Sequence, residues 1–244
     1  MDNTFDSLYW GRSRYLAGVD EVGVTSIAGP IVAACVVLPR ERNLDIFQID
    51  DSKKIKRKHR QRLAAVVQKN ALAYGIGTVA PVEIDALNVA VASNLAMRRA
   101  IADCLARFPT IDIDLVLVDG NRPIDIVIPH ELVVKGDEKS LSVAAASILA
   151  KVHHSEYMEA LHQINPVYGF VYNEGYKCTE HYAGLDQDGI WIGVHRTSIW
   201  PLHKNAKEKK EWVKRRSLWV HKTESNLYRN PRVCASDASS PLAP

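Results

Sequence analysis

Three short apolar segments of this chain lead into acidic residues, and this arrangement constrains the fold more than any other feature of the sequence. They are residues 15–19 before Asp20 and Glu21, residues 115–118 before Asp119, and residues 132–134 before Asp137. A run that is apolar on both faces has to be buried, so it predicts a strand inside a sheet. If these strands are neighbours, their carboxylates converge. The sequence therefore predicts an acidic site at one end of a central sheet.

Several unpaired carboxylates in one small site repel each other, and a divalent cation removes that repulsion. The pattern contains oxygen ligands without cysteine or a histidine pair, which predicts Mg²⁺ or Mn²⁺ rather than zinc. Such sites suit two-metal phosphoryl chemistry. Asp20 and Glu21 carry a restriction, because neighbouring strand residues point to opposite faces. Both reach the site only if the strand breaks at Glu21 or if Glu21 contributes its backbone carbonyl.

Apolar segments alternate with segments of helical periodicity along most of the chain. Further strands are predicted over Ile31–Leu38 and Ala73–Val79, and helices over a basic segment from Lys53, over residues 81–105 and over Ser140–Met158. This alternation predicts an α/β fold, a mixed sheet flanked by helices. We expect an N-terminal extension over 1–14, a catalytic domain over 15–202, and a basic helical extension with a disordered tail over 203–244.

The composition narrows the class of protein. A net charge of +3 permits a nucleic-acid partner without requiring one. The four cysteines are scattered without a CxxC pair, as expected of reduced thiols in a cytoplasmic protein. The acidic N-terminus is unlike a secretory signal. The longest apolar stretch, Ile27–Leu38, falls short of the ~20 residues of a membrane helix. We expect a soluble, cytoplasmic monomer.

Eight short motifs occur along the chain in a fixed order. They are Ala17–Gly23, Ala28–Pro30, Asp51–Lys54, Val118–Asn121, Lys135–Asp137, Ala144–Val152, Gly175-Tyr176 with Thr179–His181, and His195–Ser198. Each is a weak signal alone. In this order, from about Tyr15 to Pro201, the chain resembles bacterial ribonuclease HII.

The resemblance implies an RNase H-like fold and a metal-dependent endoribonuclease. The implied substrates are RNA–DNA hybrids and duplex DNA that contains ribonucleotides. Cleavage would fall on the 5′ side of a ribonucleotide and leave 3′-hydroxyl and 5′-phosphate ends, with Mg²⁺ or Mn²⁺ as the cofactor. The family's catalytic, metal-binding acids match the four carboxylates that the strand pattern selects independently, namely Asp20, Glu21, Asp119 and Asp137.

Other positions match the family's contacts to substrate. Gly23, Val24 and Thr25 match a loop that senses the 2′-hydroxyl, and Tyr176 matches a residue that stacks on the sugar of the following nucleotide. Phosphate and supporting contacts are predicted for Lys53, Lys54, Asn121, Arg196 and Ser198.

Two departures from the family pattern leave a second hypothesis open. The family's Gly-Arg-Gly loop is Gly23-Val24-Thr25 here. Val24 supplies no guanidinium, and β-branched Thr25 does not adopt glycine-only backbone angles. The family's Arg-Asp after Lys151-Val152 is replaced by His154-Ser155. The alternative is therefore a divergent relative that binds RNA–DNA hybrids with weak or no turnover.

Two remaining features have ordinary structural explanations beside functional ones. His153-His154 suggests a metal site, but adjacent helical residues face different directions, so we expect both at the surface. The basic run Lys204–Arg216, which contains Trp212, is typical of a solvated helix or of an additional duplex-binding arm.

Overall fold

The computed structural model describes residues 4–40 and 57–199. The predicted contacts of Lys53 and Lys54 and the predicted C-terminal extension lie outside these ranges. The strands are β1 Leu16–Val22, β2 Ile31–Val37, β3 Ala73–Val79, β4 Leu115–Asp119 and β5 His130–Val133. The α-helices are α1 Thr4–Ser7, α2 Arg57–Asn70, α3 Pro81–Leu87, α4 Val89–Arg107, α5 Gly136–Lys139, α6 Leu141–Ile164, α7 Phe170–Asn173 and α8 Thr179–Asp188.

β1 lies at the centre of a sheet with the order β3-β2-β1-β4-β5. It pairs antiparallel with β2 and parallel with β4, so that Val19 is opposite Cys35 on one side and Val118 on the other. Every residue of β2 is buried, as a strand covered on both faces requires. The predicted α/β fold, a mixed sheet flanked by helices, is confirmed.

Helix α4 covers one face of the sheet and helix α6 covers the other. Glycines let both helices approach the strand backbone closely. A Cβ atom on Gly77 would lie 2.0 Å from the carbonyl oxygen of Ala96 in α4, and one on Gly18 would lie 2.2 Å from the carbonyl carbon of Ser142 in α6. The Ala144–Ala146 run is fully buried. Its small side chains therefore let α6 lie close against the sheet.

Residues 4–14 pack on the domain. Tyr9 and Trp10 lie against a small apolar cluster beside β4. The buried Asp6 carboxylate accepts hydrogen bonds from the backbone nitrogen and the hydroxyl of Ser142, at 2.9 and 2.7 Å. The predicted extension thus attaches to the first turn of α6.

Of the two alternatives for Glu21, a break in the strand is excluded, because β1 continues to Val22, which is paired with Val32 of β2.

The expectation that both adjacent histidines lie at the surface is wrong. His154 is fully buried, and only His153 retains partial exposure. The second half of α6 is covered by an aromatic cluster from the chain after 165, so a helix face expected at the surface is interior. Within the described ranges, no helix has the length and apolar character needed to span a bilayer.

Candidate active site

Asp20 and Glu21 point to opposite faces of β1. The Asp20 side chain is hydrogen-bonded to Ser147 of α6, and its Oδ1 accepts the Glu21 backbone N–H at 2.7 Å. On the other face, Ser93 of α4 donates its hydroxyl to Glu21 Oε1 at 3.1 Å. The alternation of strand side chains thus holds at this pair, and each carboxylate has a serine from the helix that covers its face.

Asp119 is the last residue of β4, on the strand beside β1. Its negative charge acts on both Asp20 and Glu21. Its Oδ1 accepts the backbone N–H of Gly136 at 2.7 Å, which fixes the start of α5 against the end of β4. The next residue, Asp137, is buried. We refer to Asp20, Glu21, Asp119 and Asp137 as the acidic end of the sheet.

The electrostatics of the acidic end favour a bound cation. Burial, followed by the charges of Asp119 and Glu21, raises the pKa of Asp20 to about 7 against the opposing effects of Ser147 and Lys151. Burial, followed by the charge of Asp119, also raises the pKa of Glu21. A divalent cation would offset both the lost hydration of these buried carboxylates and their mutual repulsion. The donor set is all oxygen and fits Mg²⁺ or Mn²⁺.

The four acidic side chains do not have the geometry of a metal-coordination site. Among residues 4–40 and 57–199, no three carboxylate, imidazole or thiol groups stand where a single ion could be held. The bonds of the acids explain this, since Asp20 Oδ1 is turned to its neighbour's N–H and Asp119 Oδ1 to the N–H of Gly136. Repelling carboxylates turn towards such donors. The prediction that all four acids bind a shared metal site therefore stays a prediction.

Three supporting residues were missed by sequence reasoning. They are Ser93, Ser147 and Lys151, whose Nζ donates to the Ser147 hydroxyl at 3.0 Å. Ser147 and Lys151 lie in one of the eight motifs, four residues apart, and helical spacing puts them on one face. Nothing in the sequence indicates that this face meets Asp20, because that depends on how α6 packs.

The loop after β1 has the conformation that a glycine allows at its first position. Gly23 has a φ of +84°, and a Cβ atom there would lie 2.6 Å from the carbonyl oxygen of Pro30. Val24 is half-buried against the core on the α4 side. Thr25 is exposed, and it is absent from the described non-glycine residues with positive φ, which are Asn88, Lys135 and Glu174. The loop therefore does not force glycine-only angles on Thr25.

Arg196 lies beneath this loop and is fully buried. Its Nε and Nη2 donate to the carbonyl oxygens of Gly29 and Pro30, each at 2.9 Å, and Nη1 donates to that of Val24 at 3.3 Å. The guanidinium faces loop carbonyls instead of solvent. The predicted supporting contact of Arg196 with the substrate stays a prediction.

The other predicted contacts lie at the surface. Tyr176 is 36% exposed and follows Gly175, whose carbonyl accepts the N–H groups of Ile27 and Ala28 at 2.9 and 3.3 Å. Asn121 and Ser198 are exposed. The Ser198 hydroxyl donates to Asp85 of α3 at 2.6 Å. We refer to the Gly23–Pro30 loop together with Tyr176 as the loop edge, which remains the predicted substrate-binding surface.

Comparison with known proteins identifies the family. The sequence profile of ribonuclease HII matches residues 17–199. The chain is 42% identical over 202 residues to ribonuclease HII of Chloroherpeton thalassium, covering 82% of this chain and 96% of that one. It is 43% identical over 189 residues to ribonuclease HII of Caldanaerobacter subterraneus subsp. tengcongensis, covering 78% and 75%.

Comparison with solved structures supports the same fold. Ribonuclease H2 from Pyrococcus horikoshii OT3 superposes with a TM-score of 0.62 at 22% identity, over 82% of this chain and 99% of that one. Bst-RNase HIII in complex with Mn²⁺ superposes with a TM-score of 0.64 at 18% identity, over 83% and 70%. At these identities the likeness shows the RNase H-like fold alone. The sequence matches carry the assignment, and this chain belongs to the ribonuclease HII family of metal-dependent nucleases.

Proposed function

We propose that this protein hydrolyses the RNA strand of RNA–DNA hybrids and nicks duplex DNA on the 5′ side of embedded ribonucleotides, leaving 3′-hydroxyl and 5′-phosphate ends. The observation that carries the proposal is the position of Asp119, whose charge acts on Asp20 and Glu21 at the end of neighbouring strands. Family membership supports the same reaction.

Asp20, Asp119 and Asp137 would hold Mg²⁺ or Mn²⁺ through their carboxylates, and Glu21, which lies in an unbroken strand, would contribute its backbone carbonyl. When bound, the ions supply Lewis-acid stabilisation of the attacking and leaving oxygens. Ser147 and Ser93 orient two of the carboxylates from opposite faces of β1. Lys151 contributes a positive charge on the Asp20 side, where it would attract the substrate phosphate. Buried walls around Asp20 exclude water and strengthen these interactions.

The loop edge would bind the strand that contains the ribonucleotide. The half-exposed Tyr176 ring is available to stack on a sugar, and the loop offers its backbone beside Gly23 for contact with a 2′-hydroxyl. Asn121 and Ser198 are exposed and would add polar contacts. Buried, free Cys35 and Cys104 fit a reducing compartment, and we propose that the protein acts there as a monomer.

A second candidate function is hybrid binding with weak turnover. One observation favours it: Val24 packs on the core and carries no guanidinium, so the loop offers no charged contact to phosphate at that position. The acidic end is complete in residue type under either function.

The test is a cleavage assay with the purified full chain in Mg²⁺ and in Mn²⁺. It compares three duplexes of one sequence that contain a single ribonucleotide, a continuous RNA strand, or DNA only. We expect cuts in the first two, with 5′-phosphate ends on the products, and none in the third or in chelator. Tight binding of the first two without cutting would favour the second function. Cutting of the all-DNA duplex would contradict both.

A further inference from the structure

Arg196 joins the two parts of the loop edge from below. We propose that Arg196 is a positioning residue that fixes the Gly23–Pro30 loop relative to the turn carrying Tyr176, so that both act as one surface that reads the ribonucleotide-containing strand. The reading role rests on the proposed function. The positioning role rests on the contacts described next.

The first contacts fix the shape of the loop. Three nitrogens of one guanidinium bind carbonyls at the start and the end of the loop, those of Val24, Gly29 and Pro30. A planar guanidinium presents its donors in a fixed arrangement, so these three carbonyls are held at set distances from each other. A lysine ammonium at this site could not reach all three with the same geometry. The span of the loop is therefore set by the arginine.

Backbone bonds attach the segment around Arg196 to the same loop. The Arg196 N–H donates to the Ile27 carbonyl at 2.9 Å, and the Gly29 N–H donates to the Val194 carbonyl at 2.8 Å. Ile27 also donates its N–H to the carbonyl of Gly175, the residue before Tyr176. The middle of the loop thus lies between the Arg196 segment and the Tyr176 turn, bonded to both.

A histidine pair connects the Arg196 segment to the Tyr176 turn independently of the loop. His181 Nδ1 lies 2.8 Å from the Tyr176 carbonyl oxygen and therefore donates to it. His195 Nδ1 accepts the Trp191 N–H at 2.8 Å, so its Nε2–H donates to His181 Nε2 at 3.1 Å. Tyr176 and Asp85 also act electrostatically on the Arg196 guanidinium. Any shift of Arg196 is thereby transmitted to Tyr176 as well as to the loop.

Burying the Arg196 guanidinium costs free energy unless its N–H groups find hydrogen-bond partners. Arg196 is fully buried, and its three guanidinium nitrogens donate to backbone carbonyls. A buried charge is retained only where hydrogen bonds compensate its lost hydration. Burial, and after it the charge of Arg196, lowers the pKa of His154, which lies near Gly23. The site thus holds one positive group, and the loop carbonyls are its partners.

The test compares Arg196→Lys with Arg107→Lys, a control at an exposed arginine that pairs with Asp103 far from the loop edge. On the single-ribonucleotide duplex, we expect Arg196→Lys to raise KM about tenfold and to change kcat less than about threefold, because binding and not the acidic end is altered. Mn²⁺ affinity measured by calorimetry should not change. A fall in kcat at constant KM would overturn the proposal.

A double-mutant cycle with Tyr176→Ala tests the coupling. If Arg196 positions Tyr176, the loss of the ring raises KM in the wild type but adds little in the Arg196→Lys background. Effects that multiply would show two independent residues and would contradict the proposal. If Arg196→Lys does not fold, the cycle is run with Asp85→Asn. Asp85 accepts the backbone N–H groups and hydroxyls of Thr197 and Ser198, so its loss releases the Arg196 segment.

Hydrogen exchange provides a readout that does not require activity. We expect Arg196→Lys to speed amide exchange in peptides covering 23–30 and 174–178 together, and to leave β1 and β4 unchanged. Arg107→Lys should change neither peptide. Faster exchange confined to one of the two peptides, or spread over the sheet, would refute the positioning role. If the wild type cuts no ribonucleotide-containing duplex, the proposed function fails, and this measurement still decides whether Arg196 couples the two elements.

Discussion

The acidic end and the loop edge lie side by side but are built differently. At the acidic end, regular backbone places the side chains: Asp20 is inside β1, and Asp119 ends the parallel strand β4. At the loop edge the backbone is irregular, and the buried side chain of Arg196 holds it through carbonyls. A sheet tolerates the loss of one side chain's bonds more easily than a loop does. We therefore expect substitutions at the acidic end to reduce catalysis, and substitutions at the loop edge to reduce substrate binding, independently of each other.

The two regions also have opposite electrostatic responses to burial. At the acidic end, burial together with the charges of Asp119 and Glu21 raises the pKa of Asp20 to about 7, so Asp20 binds its proton at a higher pH in the metal-free folded protein than in the unfolded chain. Beneath the loop edge, burial lowers the pKa of His154 to about 4, assisted by the charges of Arg196 and His153. There the unfolded chain binds more protons. Acidification in chelator therefore stabilises the first region and destabilises the second.

The largest effect is expected at the acidic end. Asp119→Asn keeps the volume and the oxygen that accepts the Gly136 N–H, but it removes a charge from the carboxylates that we propose bind metal. We expect kcat to fall by about 10³-fold or more, with no loss of thermal stability. Asp125→Asn, at an exposed aspartate, is the matched control. Near-normal turnover by Asp119→Asn would mean that Asp119 is not a ligand.

The second effect concerns stability and belongs to the loop edge. The pKa of His154 is about 4 in the folded protein, and its ordinary value is 6.5. The neutral His154 ring therefore stabilises the folded state fully above pH 6.5, and this stabilisation is lost as the pH falls through 4. The full loss is about 3 kcal/mol. Among residues 4–40 and 57–199, neither ring nitrogen has a hydrogen-bond partner, so His154→Leu removes this pH dependence without breaking one of the described bonds.

The measurement is the free energy of unfolding by urea at several pH values, in chelator. The difference between wild type and His154→Leu isolates His154 from the opposite contribution of Asp20. His59→Gln, at an exposed histidine of α2, should follow the wild type. A difference that stays constant from pH 7 to 4 would disprove a buried neutral imidazole.

The smallest effect is expected from restoring the family loop. Val24→Arg with Thr25→Gly should raise incision of the single-ribonucleotide duplex about tenfold, equivalent to ~1.4 kcal/mol, because a guanidinium would then reach phosphate. Val24 gives up its packing on the core in this change, which limits the gain. Thr25→Gly alone is the control, since Thr25 already has an ordinary backbone conformation. If the unmodified protein cuts as fast as the double variant, the altered loop is neutral.

The parts predictable from sequence are those that regular backbone determines. Apolar runs followed by carboxylates located Asp20 and Asp119 towards the same end of neighbouring strands, and the ordered motifs indicated the family. The interior position of His154 and the inward-facing Arg196 were not predictable, because each depends on packing between segments far apart in the chain. The same holds for Ser93, which meets Glu21 only because α4 covers that face of β1. Helical and strand periodicity contain no information about such long-range contacts.

The parallel pairing of β1 with β4 has a consequence for biosynthesis. Val19 is opposite Val118, and β2, β3 and α4 lie between them in the chain. During translation, the first two acids leave the ribosome long before the strand that brings Asp119 beside them. Pairing at such separation is among the later events of folding, because the intervening loop has to be closed first. A nascent chain that stops short of β4 therefore carries no assembled acidic end, and nuclease activity begins only when the domain is complete.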